Sequence, residues 1–175
     1  PGRALERIVE RSADPPAFRP SAEAPWLVPG SPGGNGGKSD LTAEQLADWE
    51  KRFELIIEAS GQVVYDYDPD SGRIDWSGSL EQVLGYRFED MGGIAEWTER
   101  IHPEDRGVAV RLLEEAEREG RTYEVDYRFR HAHGGYRWIH DRGFFTGDPQ
   151  RGLRRMIGMM QDITDRKQAE LLQNA

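Results

Sequence analysis

The chain has 175 residues, a formal charge of −9 and no cysteine. That length allows one domain around a single buried core and crowds out two, while the acidic balance, without a dense Lys/Arg cluster, argues against a nucleic-acid surface, whose phosphates need clustered cations. The missing cysteines exclude a disulfide and a thiolate metal site. No apolar run approaches the roughly eighteen residues needed to cross a bilayer, and the N-terminus lacks the charged-then-apolar arrangement of a secretory leader, so a cytoplasmic location is expected. The chain starts without methionine and ends inside a helical pattern, as expected of a piece of a longer protein.

Residues 1–40 hold seven of the ten prolines and the run SPGGNGGKSD. Such a composition buries too little apolar surface to offset the entropy of ordering, so a flexible linker is predicted over 1–40, with only Ala4 to Arg11 able to form a helix. From 41 to 60 the character changes. Thr42 and Gln45 have the spacing of a capping box, and Leu46, Trp49, Phe53, Ile56 and Ile57 follow at helical spacing, which predicts an amphipathic helix. Its apolar stripe has two uses open to it, packing on its own domain or contact with a second copy. Gly61 ends that helix, and Val63 to Asp68 and Arg73 to Ser77 flank the turn Pro69-Asp70-Ser71-Gly72, the pattern of a hairpin. Short helices are predicted within 79–101, broken at Gly85 and at Gly92-Gly93, and a longer one from Pro103 to about Glu119, stopped by Gly120. Three strands follow at about 122–131, 135–146 and 153–163. That order fits an α+β fold with a five-stranded antiparallel sheet and helices across one face.

Few residues read as chemistry. His102-Pro103-Glu104-Asp105 is explained by helix physics, since proline suits the first helical position and carboxylates in the first turn oppose the helix dipole. His131 and His133 alternate, but no third metal ligand accompanies them convincingly. A small enzyme would require a constellation such as His140 with Asp141, and neither a nucleophile elbow nor a phosphate-binding loop is present.

The strands carry more information. In Tyr123–Arg130 strict alternation turns Tyr123, Val125, Tyr127 and Phe129 inward. A hairpin turning about Gly134 sets Phe129 opposite Ile139, with Ile139 and Asp141 on the inner face and Trp138 and His140 on the outer one. In the last strand Met156, Gly158 and Met160 share one face, and Ile157, Met159 and Gln161 the other. On the outer side Trp138 is expected to pack with Ile157 and Met159 beneath Trp49 and Phe53. Asp162 and Thr164 suit the cap of a helix beginning near Asp165.

Three blocks in order, HPEDR at 102–106, YRFRHAHGGYRWIH at 127–140 and GMMQDITDRKQAE at 158–170, resemble a PAS domain, the sensory module of bacterial signalling proteins, over roughly residues 50–170. The resemblance implies a PAS domain over 61–164 and the start of an output helix over 165–175. Such domains hold ligands between the inner sheet face and the helices. The set containing Met160 then faces the cavity, and Tyr65, Tyr127, Phe129, Ile139, Asp141 and Met160 become candidate pocket residues. Val63, Val64, Tyr65 and Tyr67 do not alternate cleanly, which leaves Tyr65 the least anchored of them. A fully packed core without ligand is the other reading, and the burial of Asp141 decides between them, because a buried carboxylate needs a partner or a ligand. The resemblance also implies relay through Trp138, Asp162 and Thr164 to an effector of histidine kinase or diguanylate cyclase type. It further implies a homodimer through the N-terminal and output helices. The cofactor stays unknown: flavin–thiol photochemistry is excluded by the lack of cysteine, and haem is disfavoured because no histidine lies in the long helix. A metal, nucleic acid and a membrane within this segment are not expected, and the role is regulatory, not enzymatic.

Overall fold

Thr42 opens the first helix as its spacing predicts. Its hydroxyl accepts the Gln45 amide and the Gln45 side chain accepts the Thr42 amide, at 3.2 and 3.0 Å, and the helix α1 runs Ala43–Ser60. The structure, a computed structural model, describes residues 42–147 and 154–174. The expected linker over 1–40, the helix at Ala4 to Arg11 and residue 153 lie outside these residues. A hairpin follows, β1 (Val63–Asp68) and β2 (Arg73–Gly78), then three short helices, α2 (Leu80–Leu84), α3 (Phe88–Met91) and α4 (Ile94–Arg100). The long helix α5 (Pro103–Glu119) leads to β3 (Tyr123–Arg130), β4 (Tyr136–Thr146), β5 (Arg155–Asp162) and α6 (Thr164–Gln173).

The strands form one antiparallel sheet in the order β2-β1-β5-β4-β3. Alternation decides its faces. Val63, Tyr65 and Tyr67 of β1 are buried, which resolves the ambiguity left by Val64, since Val64 lies between them on the other face. Tyr123, Tyr127 and Phe129 of β3, Ile139 and Asp141 of β4, and Met156 and Met160 of β5 complete the inner face. Leu80, Leu84, Met91, Ile94, Trp97, Ala109, Leu113 and Ala116 close it from the helical side.

Two packing expectations are corrected. Phe129 pairs with Arg137, and Ile139 stands opposite Tyr127. The five-residue loop between Arg130 and Tyr136, in which Gly134 and Gly135 both take positive φ, 99° and 73°, centres the hairpin on His133. Moving the centre by one residue moves the register by two, which preserves every side chain's face. Trp138 does lie toward the outer side, but Ile157 and Met159 pair with Phe144 and Arg142 further along β4. The Trp138 ring instead lies between the Arg128 guanidinium, 5.4 Å from its centre, and the Lys167 ammonium, 5.5 Å away. Helix α1 packs against β2 and α6 against β4, three strands apart in the sheet.

The segment before α5 explains the HPEDR block. His102 caps the helix through Nδ1, which accepts the Glu104 amide at 3.3 Å, and Pro103 takes the first helical position. The Asp105 carboxylate accepts the Arg128 backbone amide and its guanidinium, and Glu104 accepts the same guanidinium. Hydrogen bonding to Arg128 holds both carboxyls below their ordinary values. Arg106 reaches back to the carbonyls of Glu99 and Ile101 at the end of α4. The segment is thereby pinned along β3, and Ile101 bridges Phe129.

Phe129 is wholly buried between that bridge and the tilted ring of Tyr127. Phe129→Ala is expected to destabilise the fold by about 3–5 kcal/mol, measured by denaturant unfolding; a midpoint equal to the parent's would remove Phe129 from the core.

Candidate functional site

Asp141 is the polar residue most at odds with its surroundings, 1 % exposed in the middle of the inner sheet face. Burying a carboxylate without partners is prohibitive, and two other strands, the adjacent β3 and the more distant β1, supply them. The Tyr65 hydroxyl donates to Oδ1 at 2.7 Å and the Tyr127 hydroxyl donates to Oδ2 at 2.6 Å. Trp97 on α4 donates its indole N–H to the Tyr127 hydroxyl at 3.0 Å, so the network reaches the helical layer. Tyr65 stands on β1, whereas Asp141 is on β4, with β5 between them. The phenol crosses directly over Gly158, where a Cβ would sit 2.2 Å from the hydroxyl oxygen. The paired Gly143 is crowded in the same way by Tyr65 and Met156.

Burial pushes the Asp141 carboxyl up, the two tyrosine hydrogen bonds draw it back, and the balance lies at about 6. Burial likewise carries the hydroxyls of Tyr65 and Tyr127 well above their ordinary range, with Asp141 adding to the effect. Both phenols therefore remain donors at neutral pH.

A cavity of about 20 Å³ adjoins Asp141, room for about one water-sized group. Of the candidate pocket residues, Tyr65 and Asp141 line it, while Tyr127, Phe129, Ile139 and Met160 are buried around it. The rest of its wall is Tyr67, Ile74, Trp76, Ile94, Trp97, Leu113, Tyr123 and Met156. Tyr67 follows from extending the alternation of Val63 and Tyr65. Trp97 was missed, and the signal that could have found it is the helical spacing of Ile94, Trp97 and Ile101. Trp76, on the hairpin's second strand, has no sequence pattern that singles it out.

The outer face carries a second constellation around the root of α6. The Asp162 carboxylate accepts the Thr164 amide at 2.9 Å and the Thr164 hydroxyl at 2.5 Å. Thr164 Oγ1 in turn accepts the Trp138 amide at 3.0 Å, and the Ile163 amide donates to the Trp138 carbonyl at 2.8 Å. Thr164 is thus the first helical residue, one position earlier than its spacing suggests. Asp126 of β3 meets His140 at 2.7 Å and Lys167 of α6 at 3.0 Å. Burial raises the Asp126 carboxyl, but hydrogen bonds from His140 and Lys167 outweigh this and hold it below its usual range. His140 and Asp141 stand on opposite faces of β4, so they do not form one catalytic pair. His131 and His133 fall in the hairpin loop beyond β3, and among the described residues no group of three or more His, Cys, Asp or Glu is placed to hold a metal.

A five-stranded antiparallel sheet with four helices between its second and third strands, closed over an aromatic interior, defines an α+β domain. The family model described as the PAS fold matches residues 73–160, and the chain belongs to that family. Among solved structures it is similar to a sensory box histidine kinase/response regulator from Burkholderia thailandensis, with 30% identity and a TM-score of 0.59, covering 70% of this chain and 92% of that one. It is also similar to the N-terminal domain of a diguanylate cyclase with PAS/PAC sensor from Marinobacter aquaeolei, with 25% identity and a TM-score of 0.57, covering 61% and 98% respectively. The sensor protein FixL of Bradyrhizobium diazoefficiens is 24% identical over 120 residues, 69% of this chain. The uncharacterized protein y4lL of Sinorhizobium fredii is 30% identical over 112 residues, 64% of this chain. The match spans only 24% of FixL and 13% of y4lL.

The folded state holds the Asp141 proton more tightly than an unfolded chain does, so this group opposes stability increasingly as pH rises from its ordinary value near 4 to about 6, and by a constant amount above. Asp141→Asn should remove that slope. The variant's stability relative to the parent is expected to rise by about 3 kcal/mol between about pH 4 and pH 7, read from urea midpoints; a pH-independent difference would show that the carboxyl is already ionised at low pH.

Proposed function

We propose that this is the sensory domain of a bacterial signal-transduction protein, responding to a small molecule or partner at the Asp141 interior and relaying the response through β5 and the root of α6. The effector beyond the domain is of histidine kinase or diguanylate cyclase type, the kinds of protein in which its structural relatives occur. Among the described residues no helix is long and apolar enough to cross a membrane, and the domain is read as cytoplasmic.

The single observation that carries the relay is the double hydrogen bond between Trp138 and the Ile163-Thr164 junction. Trp138 lies three residues from Asp141 on the same strand, and Met160 pairs directly with Asp141. A ligand that changes the packing around Asp141 therefore acts on both strands that hold the helix root. Such a change transmits only if the ligand prefers one packing over another, biasing two arrangements of the helix. The ion pairs of Asp126 with Lys167 and Arg166, at 3.0 and 3.7 Å, give the helix a second attachment to the same sheet face.

A second reading, a homodimerisation module working through the N-terminal and output helices, is favoured by apolar side chains those helices leave exposed. Leu55 and Ile56 on α1 and Leu171 and Leu172 on α6 are all more than half exposed. Sedimentation across a range of protein concentrations tests it: dimer formation indifferent to any added ligand supports this reading, and a monomer at every concentration ends it.

The relay is tested in the full-length protein by Asp162→Ala, which removes the one oxygen, Oδ1, that accepts both the amide and the hydroxyl of Thr164. Stability should fall by about 0.5–2 kcal/mol, the usual cost of a lost cap, with the fold retained and the stimulus response of the effector abolished. An unaltered response would separate this junction from the output.

A further inference from the structure

The polar side chains on the wall of the interior cavity are spent on the protein itself. Tyr65 gives its hydroxyl to Asp141 at 2.7 Å and Tyr123 gives its own to the Ala109 carbonyl at 3.3 Å. Trp97 donates its indole N–H to the Tyr127 hydroxyl at 3.0 Å, and Trp76 donates to the Gly92 carbonyl at 2.8 Å. Asp141 accepts from Tyr65 on one oxygen and from Tyr127 on the other. The charges acting on the Tyr67 hydroxyl are Glu117, Asp68, Asp70 and Glu114, which belong to the hairpin turn and to α5. The surface left facing the cavity is therefore almost wholly apolar. All of the wall is buried apart from Trp76, which is partly exposed and is held at Gly92, in the break between α3 and α4.

We propose that the cavity takes a small apolar molecule without hydrogen-bonding groups, an apolar gas or a light hydrocarbon of about one to three heavy atoms, admitted past Trp76. This rests on reading the interior as a sensory site and names the class of ligand. Wall atoms that face an empty space lack contacts on that side, and an apolar occupant restores them. A polar group placed there gives up its hydrogen bonds to water and finds none in return, so the same wall rejects it. The volume of about 20 Å³ limits the size, and a longer occupant requires the flexible Met156 side chain to move. The Tyr65 ring lies 5.9 Å from that of Trp76, and its hydroxyl is fixed on Asp141, which pairs with Met160 of β5. An occupant thus favours the packing of Tyr65 that keeps the space open over one that closes it, the differential interaction a sensor needs.

The probes are xenon and ethane dissolved under pressure, with methanol as the polar and methylammonium chloride as the charged comparison of similar size. Binding to the 175-residue chain is read from the methyl resonances of Ile74, Ile94, Leu113 and Met156, which line the cavity. Xenon and ethane are expected to shift these methyls saturably, and methanol and methylammonium to leave them in place. Tighter binding of xenon assigns a compact gas, and tighter binding of ethane an elongated hydrocarbon. Leu113→Phe, which fills the space, should weaken xenon binding by at least tenfold. Should that variant fail to fold, Leu113→Ala, which enlarges the space, should strengthen ethane binding severalfold. Trp76→Phe, which loses the bond to Gly92, should speed xenon exchange severalfold, and exchange no faster than in the parent would overturn the entrance. Undiminished xenon binding in Leu113→Phe, or shifts confined to the exposed Leu171 and Leu172, would place the gas elsewhere and overturn the proposal. Shifts of the cavity methyls by methanol or methylammonium alone would overturn the ligand class and leave an interior sensory site standing. No saturable shift with any probe would overturn the proposal, and the response of Asp162→Ala in the full-length protein would still decide the relay separately.

Discussion

The carboxylate of Asp141, buried between two phenols, sets the terms for much of the interior. Tyr65 reaches it only by lying across β5, which leaves no room for a side chain at Gly158 and crowds Gly143 on the neighbouring strand. Tyr127 reaches it from the other side and is itself fixed by Trp97, so α4 is held to the sheet by a polar contact as well as by apolar packing. Four strands and a helix therefore converge on one ionisable group. Replacing either tyrosine by phenylalanine keeps the volume but leaves a carboxylate oxygen without its donor, a loss that buried polar groups bear badly.

The two faces of β4 make this centre more than a local arrangement. Ile139 and Asp141 point into the core, while Trp138 and His140 between and beside them engage Arg128, Lys167 and Asp126 outside. The same Arg128 guanidinium is tied to Glu104 and Asp105. A continuous run of charged contacts thus leads from the start of α5, across β3 and the Trp138 ring, to the first turns of α6. The interior and this outer run share the same stretch of β4 backbone.

Much of this was legible before any coordinates. The alternation of β3 named the inner residues, Thr42 with Gln45 named the first cap, and proline followed by acids named the start of α5. These are local patterns, and local geometry decides them. The pairing of Phe129 was not legible, because it depends on where a five-residue loop with two glycines centres its turn, and the partners of Trp138 were not, because they depend on the register of β4 with β5. The burial of Asp141 followed from parity, but its neutral partners did not, since Tyr65 is 76 positions away and reaches across an intervening strand. Most of the cavity wall is supplied by the helices and by the first two strands. Their approach to the sheet follows from packing volume, which no periodicity records.

The pinned segment along β3 has a consequence for how copies of this chain meet. A terminal strand with unpaired amides and carbonyls is a template for adding another strand. On β3 the amide of Arg128 is taken by Asp105, its carbonyl by the His102 amide, and the Arg130 carbonyl by the Tyr86 hydroxyl. Growth by strand addition is thereby blocked at one border. A filament built by strand addition needs two open borders, so the cover on β3 is by itself enough to stop one.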